Sequence, residues 1–352
     1  MENFTKEGVY IIGEIGQNHN GSVDIAKLIV ELVSRPVFES DFGLNLKPMN
    51  AVKLTKRDLK EELTDSQMNR PYDSPHSFGK TYGEHREFLE LTDEEHFEVY
   101  KYAKNRGLDF VETLCSLGCL SLLKLFQPDC LKVASRDLTN LPLLAAMAET
   151  KIPIILSTGM AGKKELDEAI DVITRYHSEL SILHCVSQYP THPDNLNLKT
   201  ITYLQNHYGE YSIGFSDHTI GISAPVVAVG MGAKIIEKHI TIDRNMKGTD
   251  QAGSLGPDGV FRMVRDIRIA EKWMGVEDIY IEEGVQSAKM KLERSIATKR
   301  DLAAGEVIKE EDLHLLSPGD GYKWSDRNTI IGKKLKTAIP KNELIYPDMI
   351  IS

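Results

Sequence analysis

The feature that most constrains this chain is a repeat. Eight short apolar runs recur along it: 9–16, 51–56, 109–115, 130–135, 153–159, 180–187, 212–218 and 233–241. They are rich in Ile, Val and Leu, and most lack strict alternation, which suits parallel strands buried on both faces. Segments with helical spacing lie between and after them, the clearest at 23–33, 93–107, 163–177 and 258–275. Ser22 is a good N-cap for the first, with Asp24 in its first turn, and Gly107 suits the C′ position of the second. Eight strand-then-helix units predict an α/β fold of the (β/α)8 TIM-barrel type. A doubly wound dinucleotide-binding sheet would want a GxGxxG after its first strand, and none occurs.

The ends of the runs carry the chemistry. Glu14, Lys53, Thr113, Lys132 with Ser135, Ser157, Ser187, Ser216 with His218, and Glu237 with His239 all fall toward the C-terminal ends of the predicted strands. Barrel active sites lie at that end, and scattered stabilising polar residues would not favour it so consistently. Two stretches interrupt the pattern. Residues 34–50 read as irregular, with Pro36 and Pro48, and residues 57–92 as a long loop containing RPYDSPHSFGKTYGEHR. Long loops in compact domains are commonly lids or binding loops. Beyond Gly275 come a charged linker and a tail of short β-prone runs with turn signals such as AAGE and PGDG. The expected organisation is a barrel domain at 1–277, a linker at 278–292 and a small, mostly β domain at 293–352.

A net charge of −10 argues against a nucleic-acid or membrane-surface binder, yet allows a local cationic cluster facing an anionic substrate. Cys115, Cys119, Cys130 and Cys185 form no CxxC or zinc spacing and read as reduced, mostly buried thiols of a cytoplasmic protein. The opening MENFTKEGVY has no secretory pattern, and no run reaches the roughly 18 apolar residues of a transmembrane helix.

His218 and His239 end neighbouring strands, so they would sit side by side at the barrel mouth. Two imidazoles there could hold a divalent metal with open positions; the competing reading is two hydrogen-bonded structural histidines. Lys53 and Lys132 point inward from otherwise apolar strands, and a buried Lys needs an anionic partner. Three readings stand: a phosphate or carboxylate cradle of Lys132, Ser135, Ser157 and Thr113; Lys–Glu pairs with Glu14 or Glu237; or a Schiff-base lysine. Glu14 could act as a general base or orient a substrate hydroxyl. Asp250, on a Gly-rich loop, is either a solvated carboxylate or a ligand for a substrate hydroxyl.

Several blocks, taken together and in order, resemble the sialic acid (N-acetylneuraminate) synthase family. They are IIGEIGQNHNGS, LKVASRDLTNLPLL, ILSTGM, LHCVSQYPT, IGFSDHT and AKIIEKHIT, while the tail, with GEVI and IIGKKLK, resembles that family's antifreeze-like SAF domain. The resemblance implies condensation of phosphoenolpyruvate with an N-acylhexosamine, N-acetylmannosamine or its 6-phosphate. The product would be a nonulosonic acid or its 9-phosphate, plus phosphate. It implies a divalent metal, Mn²⁺ first and Mg²⁺ second, on His218 and His239, and a domain-swapped homodimer. Glu14, Lys53 and Lys132 become the catalytic set. Lys132, Ser135, Ser157 and Thr113 would hold the phosphate, with Lys53 and Ser187 nearby on phosphoenolpyruvate. Asp137, Tyr189 and Asp250 would contact the sugar, and Ser216 counts among the substrate-binding residues. The alternatives are a metal-independent aldolase on the same barrel and a non-catalytic sugar-binding protein.

Three positions depart from the family pattern. Thr55 stands where the family commonly has Gln, Arg136 replaces a small residue after Ser135, and Ser317 stands where relatives carry an Arg. The 70–86 loop looks like the insertion of synthases that accept a 6-phosphorylated sugar. Lys80, Arg86, His76 and Ser77 would then meet the sugar phosphate; the alternative is a solvated lid.

Overall fold

Each of the eight apolar runs forms a strand in the computed structural model, which describes residues 8–351. In chain order they are β1 (Tyr10–Glu14), β2 (Ala51–Lys56), β3 (Asp109–Leu114), β4 (Cys130–Val133), β5 (Ile154–Ser157), β6 (Leu180–Cys185), β7 (Ser212–Asp217) and β8 (Ile235–His239). All pair in parallel, and β8 closes on β1 to complete the (β/α)8 barrel. Most strands are a few residues shorter than the runs that predicted them, because the polar run ends bend into the βα loops.

A period of two decides which residues face the barrel axis. Tyr10, Ile12, Ala51, Val111, Cys130, Ile155, Leu183 and Ile235 form an apolar cluster inside the barrel, each large side chain contributing roughly 1.5–3 kcal/mol by burial. β7 gives Gly214 to this layer, and there is no room for more: a Cβ there would lie 2.4 Å from the Ile235 carbonyl oxygen. Two residues further along each strand come Glu14, Lys53, Thr113, Lys132, Ser157, Cys185, Ser216 and Glu237, all buried. Residues of opposite parity, such as Ile11, Val52, Leu131, Leu156, Ile182, Phe215 and Ile236, join the larger cluster shared with the surrounding helices. The strands are therefore largely apolar on both faces low in the barrel and turn polar on the inner face at the top, where Glu112, His184, Asp217 and Lys238 are buried polar exceptions on the outer face.

The surrounding helices include Val23–Ser34, Asp93–Asn105, Leu141–Glu149, Lys163–Thr174, Lys199–His207, Ser223–Gly230 and Pro257–Trp273. The Ser22 hydroxyl accepts from the Ile25 amide at 3.4 Å, and Gly107 takes φ 75° just beyond its helix. Between β3 and β4 the chain makes a 3-10 helix, Gly118–Lys124. The two stretches read as irregular carry structure of their own. Residues 34–50 contain an antiparallel hairpin, Val37–Glu39 with Leu44–Leu46. Residues 57–92 contain helices Leu59–Glu62, Asp65–Met68 and Tyr82–Leu89, the last opened by a Thr81–Glu84 capping box.

The chain divides into two compact units, one ending at Gly275 and one beginning at Val276. The second opens with a 3-10 turn, Glu283–Val285, and a helix, Gln286–Leu292. Its two-stranded antiparallel sheet pairs Ser295–Thr298 with Leu313–Leu316. Ile296, Leu302, Ile308, Leu313, Ile330, Leu335, Ile339, Ile345 and Ile350 form its own core. No described helix is long and apolar enough to cross a membrane.

Candidate active site

The polar upper layer of the barrel opens into a cavity of about 380 Å³. Its floor is a cluster of two lysines and two carboxylates. Lys53 makes an ion pair with Glu14, lies 3.5 Å from Glu237, and donates to the Thr113 hydroxyl at 3.2 Å. Lys132 donates to the Ser157 hydroxyl at 2.6 Å and to the Val133 carbonyl at 2.9 Å. Ser216 donates to Glu237 at 2.9 Å.

Shared burial drives the two carboxylates apart. Burial pushes the Glu14 carboxyl up to about 7 despite Lys53, with Glu237 adding repulsion. At Glu237 burial is outweighed by Lys132 and Lys53, which bring it down to about 2. Burial would lower Lys53, but the two acids hold it above its usual range. Lys132 stays below its usual range, because burial exceeds the pull of Glu237. One acid is thus poised to exchange a proton near neutrality while the other stays ionised, the usual division of acid and base roles.

Beside the floor is a cradle of hydroxyls. The Gly159 amide donates to Ser135 Oγ at 3.0 Å. A Cβ on Gly159 would lie 2.4 Å from Ser187 Oγ, 2.8 Å from Ser135 Oγ and 2.9 Å from Cys185 Sγ. Glycine therefore keeps this corner open where three polar groups converge, and a backbone amide can approach an anion closely.

His218 and His239 face each other across the rim, ring centroids 5.6 Å apart, and the Tyr189 ring lies 4.0 Å from that of His218. His218 Nδ1 lies 2.9 Å from the Val186 carbonyl. That bond requires Nδ1–H to donate, which leaves Nε2 as the ring atom facing a ligand. His239 is pulled down to about 4 by burial, with repulsion from His218 also acting, so its ring is neutral. Its Nδ1 is buried without a hydrogen-bond partner. Burial would lower His218 too, but Cys185 and the Val186 carbonyl hold it above its usual value; facing the neutral His239, it completes a pair of imidazoles that fits a divalent ion with open positions. Among the described residues no third His, Cys, Asp or Glu completes a ligand cluster with them.

Residues 47–278 match the NeuB family and residues 293–351 the SAF domain. The chain belongs to the NeuB family. The N,N'-diacetyllegionaminic acid synthase of Legionella pneumophila is 34% identical over 339 residues, 93% of this chain and 90% of that protein. The N-acetylneuraminate-9-phosphate synthase of Homo sapiens is 29% identical over 343 residues, 97% of this chain and 92% of that protein. The solved N-acetylneuraminic acid (sialic acid) synthetase of Leptospira borgpetersenii serovar Hardjo-bovis, in complex with citrate, superposes with a TM-score of 0.66 at 29% identity. That match covers 80% of this chain and 90% of the other. This NeuB-family chain is an enzyme of the sialic acid synthase type.

Of the expected site residues, Glu14, Lys53, Thr113, Lys132, Ser135, Ser157, Ser187, Tyr189, Ser216, His218, His239 and Asp250 all line the one cavity. Asp137 does not; it sits 3.3 Å from Arg136 Nε, behind that side chain. Within the 70–86 loop only Arg86 lines the cavity among the four expected residues. His76 and Lys80 are exposed, and Ser77 donates to the Gly79 carbonyl at 2.5 Å. Tyr72, Tyr82 and His85 line it instead. Glu237, weighed in the sequence only as a lysine partner, and Arg57, not singled out at all, are further lining residues of this NeuB-family site. Strand parity would have found Glu237, two residues beyond the inward Ile235. Nothing local marks Arg57.

Proposed function

We propose that this protein condenses phosphoenolpyruvate with the open-chain aldehyde of an N-acylhexosamine, N-acetylmannosamine or its 6-phosphate, in the cytoplasm. The products are a nonulosonic acid or its 9-phosphate and inorganic phosphate. One observation carries the reading: a lysine–serine cradle and a facing pair of histidines meet in one cavity at the C-terminal mouth of a NeuB-family barrel. Four free, buried cysteines support a reducing compartment.

Lys132, Ser157, Ser135, Ser187 and the Gly159 amide hold the phosphate group, with Lys53 and Thr113 below it. So held, C3 of phosphoenolpyruvate faces the aldehyde carbon and forms the new bond to it. Water adds at C2, and the resulting tetrahedral carbon expels phosphate. Glu14, with its carboxyl near 7, takes or returns the proton at the adding water or the aldehyde oxygen. Tyr189 and Asp250 position the sugar, and Asp137 reaches it only through Arg136. A divalent metal on His218 and His239, Mn²⁺ or Mg²⁺, would supply Lewis-acid polarisation of the aldehyde oxygen.

A homodimer belongs to the same reading. Trp273, Met274, Val276, Ile279, Tyr280 and Ile281 are all exposed between residues 273 and 281, more apolar surface than a monomer usually leaves bare.

The deciding experiment is phosphate release from phosphoenolpyruvate with each sugar, with and without Mn²⁺. Release is expected only with both sugar and metal, and His239→Ala should abolish it while far-ultraviolet circular dichroism stays native. Absence of release with either hexosamine would remove the condensation; release that survives chelation would remove the metal.

A further inference from the structure

The loop at 17–21, directly after β1, has no part in the chemistry described so far, yet its side chains reach across to the loop after β8. Asn18 is buried, and its side-chain amide donates to the Ile240 carbonyl and to the Ser254 hydroxyl, each at 2.8 Å. Ser254, buried as well, donates in turn to the Asp250 carbonyl at 2.6 Å. Gln251 is held from both sides. Its amide donates to the Asn18 carbonyl at 3.1 Å and to Asn20 Oδ1 at 3.3 Å, and its oxygen accepts from the Thr241 hydroxyl. Asn20 donates to the Lys247 carbonyl at 2.9 Å.

Packing alone would not call for this chemistry. Asn18 Oδ1 is buried without a hydrogen-bond partner, a cost that an apolar residue of similar size would avoid. What the amide supplies instead is direction, because a hydrogen bond fixes where a backbone lies and not merely that two loops touch. The links converge on residues 250 and 251, where Asp250 opens the 3-10 turn Gln251–Gly253. Asp250 lines the cavity with Glu14 and His239, whereas Asn18, Gln251 and Ser254 do not. Two backbone bonds complete the frame: the Ile240 amide donates to the Glu14 carbonyl and the Leu255 amide to the His239 carbonyl, both at 2.9 Å. Glu14, His239 and Asp250 are thus referred to one rigid set of groups. The phosphate cradle of Lys132 and Ser157 stands on other strands, β4 and β5, and takes no part in it.

We propose that Asn18, Ser254 and Gln251 are positioning residues for the acceptor sugar. They set the place of the Asp250 carboxylate relative to Glu14 and His239, and so decide where the acceptor aldehyde comes to rest over phosphoenolpyruvate. The inference rests on the condensation put forward above. Asp250 touches the sugar, and the three residues act through it.

The test uses the full chain loaded with Mn²⁺, with initial rates measured against phosphoenolpyruvate and against N-acetylmannosamine or its 6-phosphate, whichever the native chain turns over faster. Ser254→Ala removes the bond to the Asp250 carbonyl and adds no bulk. It should raise the KM for the sugar about tenfold, the value of one hydrogen bond, and leave the KM for phosphoenolpyruvate within about twofold. Asn20→Gly carries the same test should the buried variant not fold, since Asn20 is half-buried at φ 50°, where glycine is at home. Hydrogen exchange gives a second readout: amides at 247–255 should exchange faster in either variant while those of β4 and β5 do not change. A purely structural role would lower stability without separating the two KM values. Equal shifts in both KM values, a fall in kcat alone, or unchanged exchange at 247–255 would each overturn the proposal. No consumption of phosphoenolpyruvate by the native chain sinks the condensation instead, and the exchange data then judge the tie between the two loops alone.

Discussion

Lys53 is shared by two carboxylates with opposite fates, and that has a consequence for stability. Glu14 rises from 4.5 to about 7 on folding, chiefly through burial. A raised carboxyl binds its proton more tightly in the folded chain. Its stabilising contribution is full below 4.5 and is lost as pH climbs through about 7. Metal-free protein should therefore lose stability, relative to Glu14→Gln, between pH 5 and pH 8. The expected change in the difference is on the order of 1–3 kcal/mol in the variant's favour. Urea unfolding of both proteins at the two pH values measures it, and a pH-independent difference would mean Glu14 stays ionised throughout. A second residue tests the cradle. Gly159 has no left-handed φ, so an alanine there is conformationally allowed. Its methyl would press into Ser187 and Ser135. Gly159→Ala should keep the fold and raise the KM for phosphoenolpyruvate by roughly 10–100-fold, because small misplacements at reacting centres cost that much. An unchanged KM would remove this corner from phosphate binding.

At the level of elements, the ends of β7 and β8 are tied by one buried pair. Lys238 donates to Asp217 at 2.6 Å and also to the Thr219 carbonyl, while the Thr219 amide donates to Asp217 at 2.7 Å. His218 lies inside this frame, so the pair fixes the backbone from which the imidazole projects. Lys238→Met strands a buried carboxylate and should cost about 3–5 kcal/mol. Adding Asp217→Asn should restore part of it. Urea titration of the single and double variants checks both, and a loss below about 1 kcal/mol would mean water reaches Asp217. The strands were legible because each is a dense apolar run, and the same density hid their alternation. Glu237 and Cys185 face inward by parity, yet the runs read as continuous because outward residues of the same strands, Ile236 and Ile182, are apolar too. The hairpin at 37–46 and the short helices at 59–89 were missed for another reason. They are held by a left-handed turn at Gly43 and by caps such as the Thr81–Glu84 box, signals one or two residues long. Tyr72, His85 and Arg57 enter the cavity on such segments, so tertiary packing rather than local pattern decides where they point.

At the scale of the whole molecule, the exposed apolar residues scattered through the charged 273–292 segment ask for a partner. Ile279 is fully exposed, Trp273 is 76% exposed and Leu292 65%. Each large apolar side chain left in water forgoes roughly 1.5–3 kcal/mol that burial would supply. Several within one segment supply enough to hold a second copy against the entropy of association, provided most become buried. Sedimentation equilibrium should therefore find a dimer for the native chain at micromolar concentration. Ile279→Asp with Ile281→Asp should shift it to monomer, because a charge in an apolar interface is left unpaired. The barrel and the C-terminal unit have separate cores, and neither residue belongs to one, so both units should stay folded by circular dichroism. A native monomer, or a double variant that still dimerises, would assign the exposed stretch to something other than self-association.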